Sequence, residues 1–188
     1  EIRSRGLGDV YKRQKLDGPS TFWENGYRST MTTYKSDSPE GPWVIWFSNS
    51  DQIKEQGFHQ KGIREGLTTY YYEDGTMQRE GFFKEGLPDG MWTYWNKEGE
   101  KDFDFDFGSG LQHISLEDLV ERESTFYKLG EDTPFTGIIT QENPEADYLF
   151  LGRTKDGKKD GQWVKWFPSG KDVPCLLYTS DAADDKQC

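Results

Sequence analysis

Aromatic residues recur along the chain in short alternating runs, each opened by a glycine. Gly41-Pro-Trp43-Val-Ile-Trp46-Phe47 is followed by Gly66-Leu-Thr68-Thr-Tyr70-Tyr71-Tyr72. Gly90-Met-Trp92-Thr-Tyr94-Trp95-Asn96 and Gly161-Gln-Trp163-Val-Lys-Trp166-Phe167 complete the set. The box glycines lie 25, 24 and 71 residues apart, and 71 is close to three periods of 24. A turn position, Ser50, Gly75, Gly99 or Gly170, comes a few residues after the second aromatic of each box. A second element precedes three of the boxes: Gly57…Gly62, Gly81…Gly86 and Gly152…Gly157, each closing four residues before the box glycine. Gly18-Pro-Ser-Thr-Phe22-Trp23-Glu-Asn-Gly26 is a partial copy. Such self-similarity is the mark of a repeat architecture.

Each period holds two short extended runs separated by turns. Asn25-Gly26, Asp74-Gly75 and Asp156-Gly157 are hairpin dipeptides, because a type I′ turn needs positive φ at both centres. The fold class expected is therefore all-β: an elongated, single-layer antiparallel sheet of tandem β-hairpins that grows in one direction. Strand side chains alternate between faces. One parity reads Val44/Trp46, Thr69/Tyr71, Thr93/Trp95 and Val164/Trp166, always β-branched then aromatic. That uniform parity is expected to be packed. The other, with Tyr70, Tyr72, Tyr94, Phe167 and the first tryptophans Trp43, Trp92 and Trp163, is expected to form a partly exposed aromatic face.

The string from Gly81 to Trp95, GFFKEGLPDGMWTYW, resembles the MORN-repeat variant of bacterial proteins, some of them YwqK-type antitoxins. The resemblance runs from about Gly18 to Lys171. It implies a β-hairpin array with an interaction role, and it carries over no catalytic residue. Its structural positions are Gly41, Trp43, Trp46, Gly66, Tyr71, Gly90, Trp95, Gly161, Trp163 and Trp166. Ser50 and Thr68 depart from the chain's own consensus, so their repeats are expected to be looser.

The ends differ from the interior. Residues 1–14, EIRSRGLGDVYKRQ, and 175–188, CLLYTSDAADDKQC, resemble translated sequencing-adapter read-through, with no ordered role expected. The native N-terminus is then expected to be missing, and a leader peptide cannot be read either way. Both cysteines, Cys175 and Cys188, fall in the second segment, which removes disulfide and thiol arguments. The organisation expected is hairpin repeats over 15–107, an irregular insert over 108–134 and a final repeat region over 135–174. Within the insert, Ser115 and Asp118 suggest a helical start, and Ile114 with Leu119 a hydrophobic staple. A competing reading pairs Leu119–Arg122 with Thr125–Lys128 across Glu123-Ser124. The expectation is a brief helical turn near 115–120 running into that hairpin, then a strand over 135–140.

Charge and chemistry narrow the function. Lys and Arg number 23 against 34 Asp and Glu, a net charge of -11 that the end segments do not alter. Phosphate backbones repel such a chain, so nucleic-acid binding is not expected. No run approaches the twenty or so apolar residues of a membrane-spanning helix. Asp102-Phe-Asp104-Phe-Asp106-Phe107 fails the calcium-loop pattern, because Phe107 stands where glycine is needed and His113 where glutamate is needed. Its alternation reads as a strand, although three carboxylates on one face leave a loose cation site open. His59 and His113 have no ligand at metal spacing. No nucleophile elbow is present. No cofactor is expected.

The expected function is thus a non-catalytic protein-interaction module, antitoxin-like or scaffold, offering an acidic aromatic face to a basic protein. The candidate contact residues are Tyr70, Tyr72, Tyr94, Trp92 and Phe167, since Tyr and Trp dominate interface hot spots. A carbohydrate- or envelope-associated binding module is the alternative. Unpaired sheet edges invite self-association. Compartment cannot be read.

Overall fold

The computed structural model describes residues 15–143, 145 and 147–168, and the backbone of Cys175–Tyr178. The 1–14 segment lies outside these residues. Eight strands follow one another as hairpins: β1 (Gly18–Glu24), β2 (Tyr27–Lys35), β3 (Ser38–Trp46), β4 (Ile53–Gln60), β5 (Ile63–Tyr71), β6 (Met77–Lys84), β7 (Leu87–Trp95) and β8 (Lys101–Asp106). Every strand pairs antiparallel with its sequence neighbour, in the order β1 to β8. The sheet of consecutive hairpins expected from the repeat is present.

Each period builds the same two turns. One is a tight hairpin with both central residues at positive φ, as at Lys61-Gly62 and Glu85-Gly86. The other is wider, with Tyr72 N donating to Thr76 O and Asn96 N donating to Glu100 O. In the first period the loop runs from Phe47 to Gln52, one residue longer, which accounts for the spacing of 25. Asn49, not Ser50, takes the left-handed conformation there, with φ 57°. Asparagine tolerates that region, so the turn closes without its glycine.

The bulges repeat as well. The box glycine and its two successors lie opposite a single residue, as Gly66–Thr68 do opposite Gly57 and Gly90–Trp92 opposite Gly81. Lys54, Gln78 and Asp102, 24 residues apart, are extra residues in a second bulge series. Bulges add twist and re-aim side chains. Here they lay the first box tryptophan over the first glycine of the paired element. Trp92 Nε1 donates to Phe82 O at 3.1 Å, and Trp163 Nε1 donates to Arg153 O at 2.8 Å. At Gly57 the box residue is Thr68, and the indole of Trp43 leans across from β3 to fill the place. Thr68 is fully buried, so the place is filled, but its Oγ1 and the Trp43 Nε1 have no hydrogen-bond partner among the described residues.

The insert contains the expected turn and hairpin: a 3-10 turn (Leu116–Asp118) leads into β10 (Leu119–Arg122) and β11 (Thr125–Lys128). Ser115 makes no side-chain cap hydrogen bond. The remaining strands are β9 (His113–Ser115), β12 (Gly137–Asn143), β13 (Tyr148–Lys155), β14 (Lys158–Trp166) and β15 (Cys175–Tyr178). They form a second sheet, ordered β15-β14-β13-β12-β9. The strand expected over 135–140 starts two residues later, and Phe135 is a core residue instead. Cys175–Tyr178, expected to have no ordered role, pairs antiparallel with β14.

The last repeat does not lengthen the first sheet; it lies on its face. Tyr72, Phe83, Trp92, Tyr94, Phe105 and Phe107 pack against Ile138, Leu149, Leu151, Val164 and Trp166 in one core. Packed sheets bury the inner side chains of both. A second core, Phe126, Phe135, Ile139 and Trp163, covers the opposite face of the second sheet beneath the β10–β11 hairpin. The second sheet is therefore buried on both sides. Its Val164/Trp166 face meets the Trp92/Tyr94 face of the first.

Candidate functional site

The face assignment reverses in the first sheet. Trp92 and Tyr94, expected to be partly exposed, retain only 2% and 1% of their surface. Tyr72 is buried too, its hydroxyl donating to Trp95 O at 2.7 Å. Trp46, Tyr71 and Trp95, expected to be packed, are half-buried. Both parities carry aromatics, so alternation could not say which side the second sheet would cover. Only in β14 does the uniform parity, Val164 and Trp166, face the core between the sheets. Of the candidate contact residues, Tyr70 and Phe167 remain partly accessible.

Burial raises the phenol pKa of Tyr94 and of Tyr72, because a phenolate loses its hydration in the core. An unfolded tyrosine ionises near pH 10. Below that value the stabilisation is complete, and it is lost as pH rises beyond it while the folded phenol holds its proton. We expect stability to fall by about 1 kcal/mol per pH unit per buried tyrosine above roughly pH 10. Urea midpoints taken across that range for the native protein and for Tyr94→Phe check this. Equal slopes in the two proteins contradict the assignment.

Two surfaces remain available. The first is the outer face of β4–β7, turned away from the second sheet. Phe58, Leu67, Phe82 and Met91 are 45–57% exposed, and Ile63 and Leu87 are 46% and 44% exposed. Leu67 pairs with Phe82 across β5–β6, and Phe58 pairs with Pro42 across β3–β4. They are repeat positions: the residue after the box glycine and the residue after the glycine beneath tryptophan. In the last repeat the same positions hold Gln162 and Arg153. Alternation puts Glu65, Glu80, Asp89 and Asp104 on this side, against Lys84 and Lys101, with Lys101 paired to Asp104; Asp106, at the end of β8, reaches Arg153 of the second sheet at 3.8 Å. Thr69 and Thr93 donate to Glu80 and Asp104 at 3.0 and 2.8 Å, holding two of the carboxylates in place.

The second is a cleft of about 510 Å³ between the sheets, beside β4–β6 and the ends of β12–β14. Arg64 Nη1 donates to Tyr70 Oη at 2.7 Å and Arg64 Nη2 to Glu55 Oε2 at 3.1 Å. The Arg79 guanidinium lies 4.2 Å over the Tyr70 ring. Its Nε is buried and has no hydrogen-bond partner among the described residues. Burial raises the Tyr70 pKa, against the opposing pull of Arg79 and Arg64. Lys54, Gln78, Glu142 and Tyr148 also line the cleft.

The loose cation site is not assembled. Asp102 sits in a bulge and turns to the aromatic side, where it accepts from Trp166 Nε1 at 2.9 Å. Asp104 is held by Lys101 and Thr93, and Asp106 accepts from Gly108 N. Among the described residues no group of three His, Cys, Asp or Glu could hold a metal. His59 lies against Trp43 and His113 stacks on Phe107, 5.5 Å away in each case.

The sequence reading missed Arg64 and Arg79. A signal existed: Arg64 occupies the position that is Pro39, Pro88 and Lys159 in other repeats, and Arg79 matches Glu55 and Phe103. Neither a family model nor a curated protein matches this chain. Among the described residues no helix is long and apolar enough to cross a membrane.

Proposed function

We propose that this chain is a non-catalytic hairpin-repeat module of the MORN type that binds a basic segment of a protein partner on the outer face of β4–β7. The observation that carries the reading is the apolar row Phe58–Leu67–Phe82–Met91 flanked by carboxylates. Apolar side chains at four adjacent strands supply desolvation energy, and the acidic flanks select lysine- or arginine-bearing partners. One of those carboxylates, Glu80, is fixed by a threonine hydroxyl and meets a cation without first ordering itself, whereas Asp104 is already paired with Lys101. An antitoxin-like or scaffold role accords with such a surface.

The test uses a synthetic peptide alternating Lys with Leu, and its Glu-for-Lys counterpart. The basic peptide is expected to bind, and to weaken at least tenfold when salt rises to roughly 0.5 M. Phe82→Glu should abolish binding while moving stability by no more than about 0.5 kcal/mol, because the ring is exposed. Equal binding of the acidic peptide, or full binding by Phe82→Glu, defeats the reading. Tyr94→Ala does not serve as a contact test here, because Tyr94 is a core residue.

A further inference from the structure

We infer that a pocket between the two sheets binds a small, uncharged aromatic molecule of the phenol class, with the Tyr94 hydroxyl as its hydrogen-bonding partner. This goes beyond the proposed peptide-binding face and uses none of its residues.

The pocket originates in the sequence of β12. Alternation sends Ile139 to the second core and turns Ile138, Thr140 and Glu142 toward the first sheet. Ile138 is fully buried in the common core. Two positions on, a short hydroxyl side chain stands in that layer, and then an exposed carboxylate. No apolar side chain of β12 fills the layer beyond Ile138, and a pocket of about 210 Å³ is left there. Phe83, Trp92, Tyr94 and Phe107 line it from the first sheet, and Leu149 and Leu151 from the second. It shares Tyr70, Arg79, Glu142 and Leu149 with the larger cleft, which gives a ligand its way in.

Size, lining and charge select the ligand. A dry apolar cavity of roughly 150 Å³ is enough to hold benzene, so a single six-membered ring fits this one. Aromatic rings favour edge-to-face and offset contacts with one another. Phe83 and Phe107 already meet Trp92 edge-on, at 5.3 and 5.8 Å, beside the space. Among the described residues that line the pocket, the charged side chains are one of each sign, Arg79 and Glu142. A charged ligand would therefore bury its charge against aromatic and aliphatic walls with no net counter-charge.

Tyr94 supplies the polar contact. It is 1% exposed and lines the pocket, yet its hydroxyl has no hydrogen-bond partner among the described residues. The hydroxyls of Tyr70, Tyr71 and Tyr72 are all engaged, by Arg64, Gln56 and Trp95 O. A buried hydroxyl left unpaired is costly, and a ligand hydroxyl supplies the missing bond. Water serves poorly here, because it needs two or more polar partners and the inner walls are rings and aliphatic chains.

The experiment titrates the native protein with phenol, benzene, cyclohexanol and benzoate, following the NMR shifts of the Leu149 and Leu151 methyl groups. Phenol is expected to bind saturably at one site, at least threefold more tightly than benzene or cyclohexanol and tenfold more tightly than benzoate. Tyr94→Phe keeps the ring and removes the hydroxyl, so it should weaken phenol at least threefold and leave benzene unchanged. Thr140→Leu fills the gap from β12 and should abolish binding of both, while the urea midpoint holds or rises. Should Thr140→Leu fail to fold, Tyr94→Phe and the four ligands still decide. No saturable phenol binding, equal affinity for cyclohexanol or benzoate, equal losses of phenol and benzene in Tyr94→Phe, or undiminished phenol affinity in either variant overturns the inference. Failure here leaves the peptide test on the outer face untouched.

Discussion

Gly81→Ala is expected to cost about 3 kcal/mol, the upper end of the usual range for forcing a methyl group into a packed site. A Cβ at Gly81 would stand 2.2 Å from Cδ2 of Trp92 and 2.3 Å from its Cγ. The obstruction is the root of the indole, not its flexible end, so no rotamer of Trp92 clears it while Nε1 still reaches Phe82 O. Phe83 and Phe107 abut the same ring at 5.3 and 5.8 Å and block its retreat. The conflict is pairwise, and a double-mutant cycle can isolate it. Trp92→Ala alone should cost roughly 3–5 kcal/mol as a large-to-small core change. Adding Gly81→Ala to Trp92→Ala should cost well under 1 kcal/mol more, because the ring that met the methyl is gone. Denaturant midpoints of the four proteins settle it. Additive losses would mean that Gly81 is required for its backbone and not for the space above it.

Much of this was legible in the sequence, for a local reason. Hairpin turns, bulge glycines and the indole resting on glycine are contacts between residues within one period, so the spacing of Gly57, Gly81 and Gly152 encodes them directly. The strand over Lys101–Asp106 and the Leu119–Lys128 hairpin followed from alternation and a two-residue turn in the same way. What could not be read is which face is covered. Trp92 and Trp95 are both large, aromatic and three residues apart; only the second sheet, arriving from beyond residue 135, decides that the first is core. The cleft was hidden for the same reason. Arg79 and Glu142 are 63 residues apart and meet only because the chain folds back. A repeat-based reading extrapolates in one direction, and the β10–β11 insert turned the chain round.

That reversal makes Trp166 the residue whose loss should divide the molecule. Trp166→Ala is expected to cost roughly 3–5 kcal/mol, as for other buried tryptophans. The indole is 1% exposed and meets Tyr94 edge-on at 5.1 Å and Phe103 at 6.1 Å. Its Nε1 donates to Asp102, the bulge residue turned inward from the first sheet. Every one of these partners belongs to β7 or β8, so the energy lost is energy between sheets. The hairpin ladder of β1–β8 is held by its own backbone bonds and by Trp43 and Trp92 over their glycines. Amide hydrogen exchange should therefore accelerate most in β12–β14 and β9, with a smaller change in β3–β6. Uniform acceleration across both sheets would instead make the two layers one cooperative unit. Asp102→Ala gives the polar part separately: the indole N–H loses its acceptor, at a cost of about 1–3 kcal/mol. Trp166→Phe keeps the ring contacts but drops that donor, and leaves the carboxylate without it. If packing dominates, Trp166→Phe should retain more stability than Trp166→Ala by at least 1 kcal/mol, while Asp102→Ala and Trp166→Phe combine less than additively.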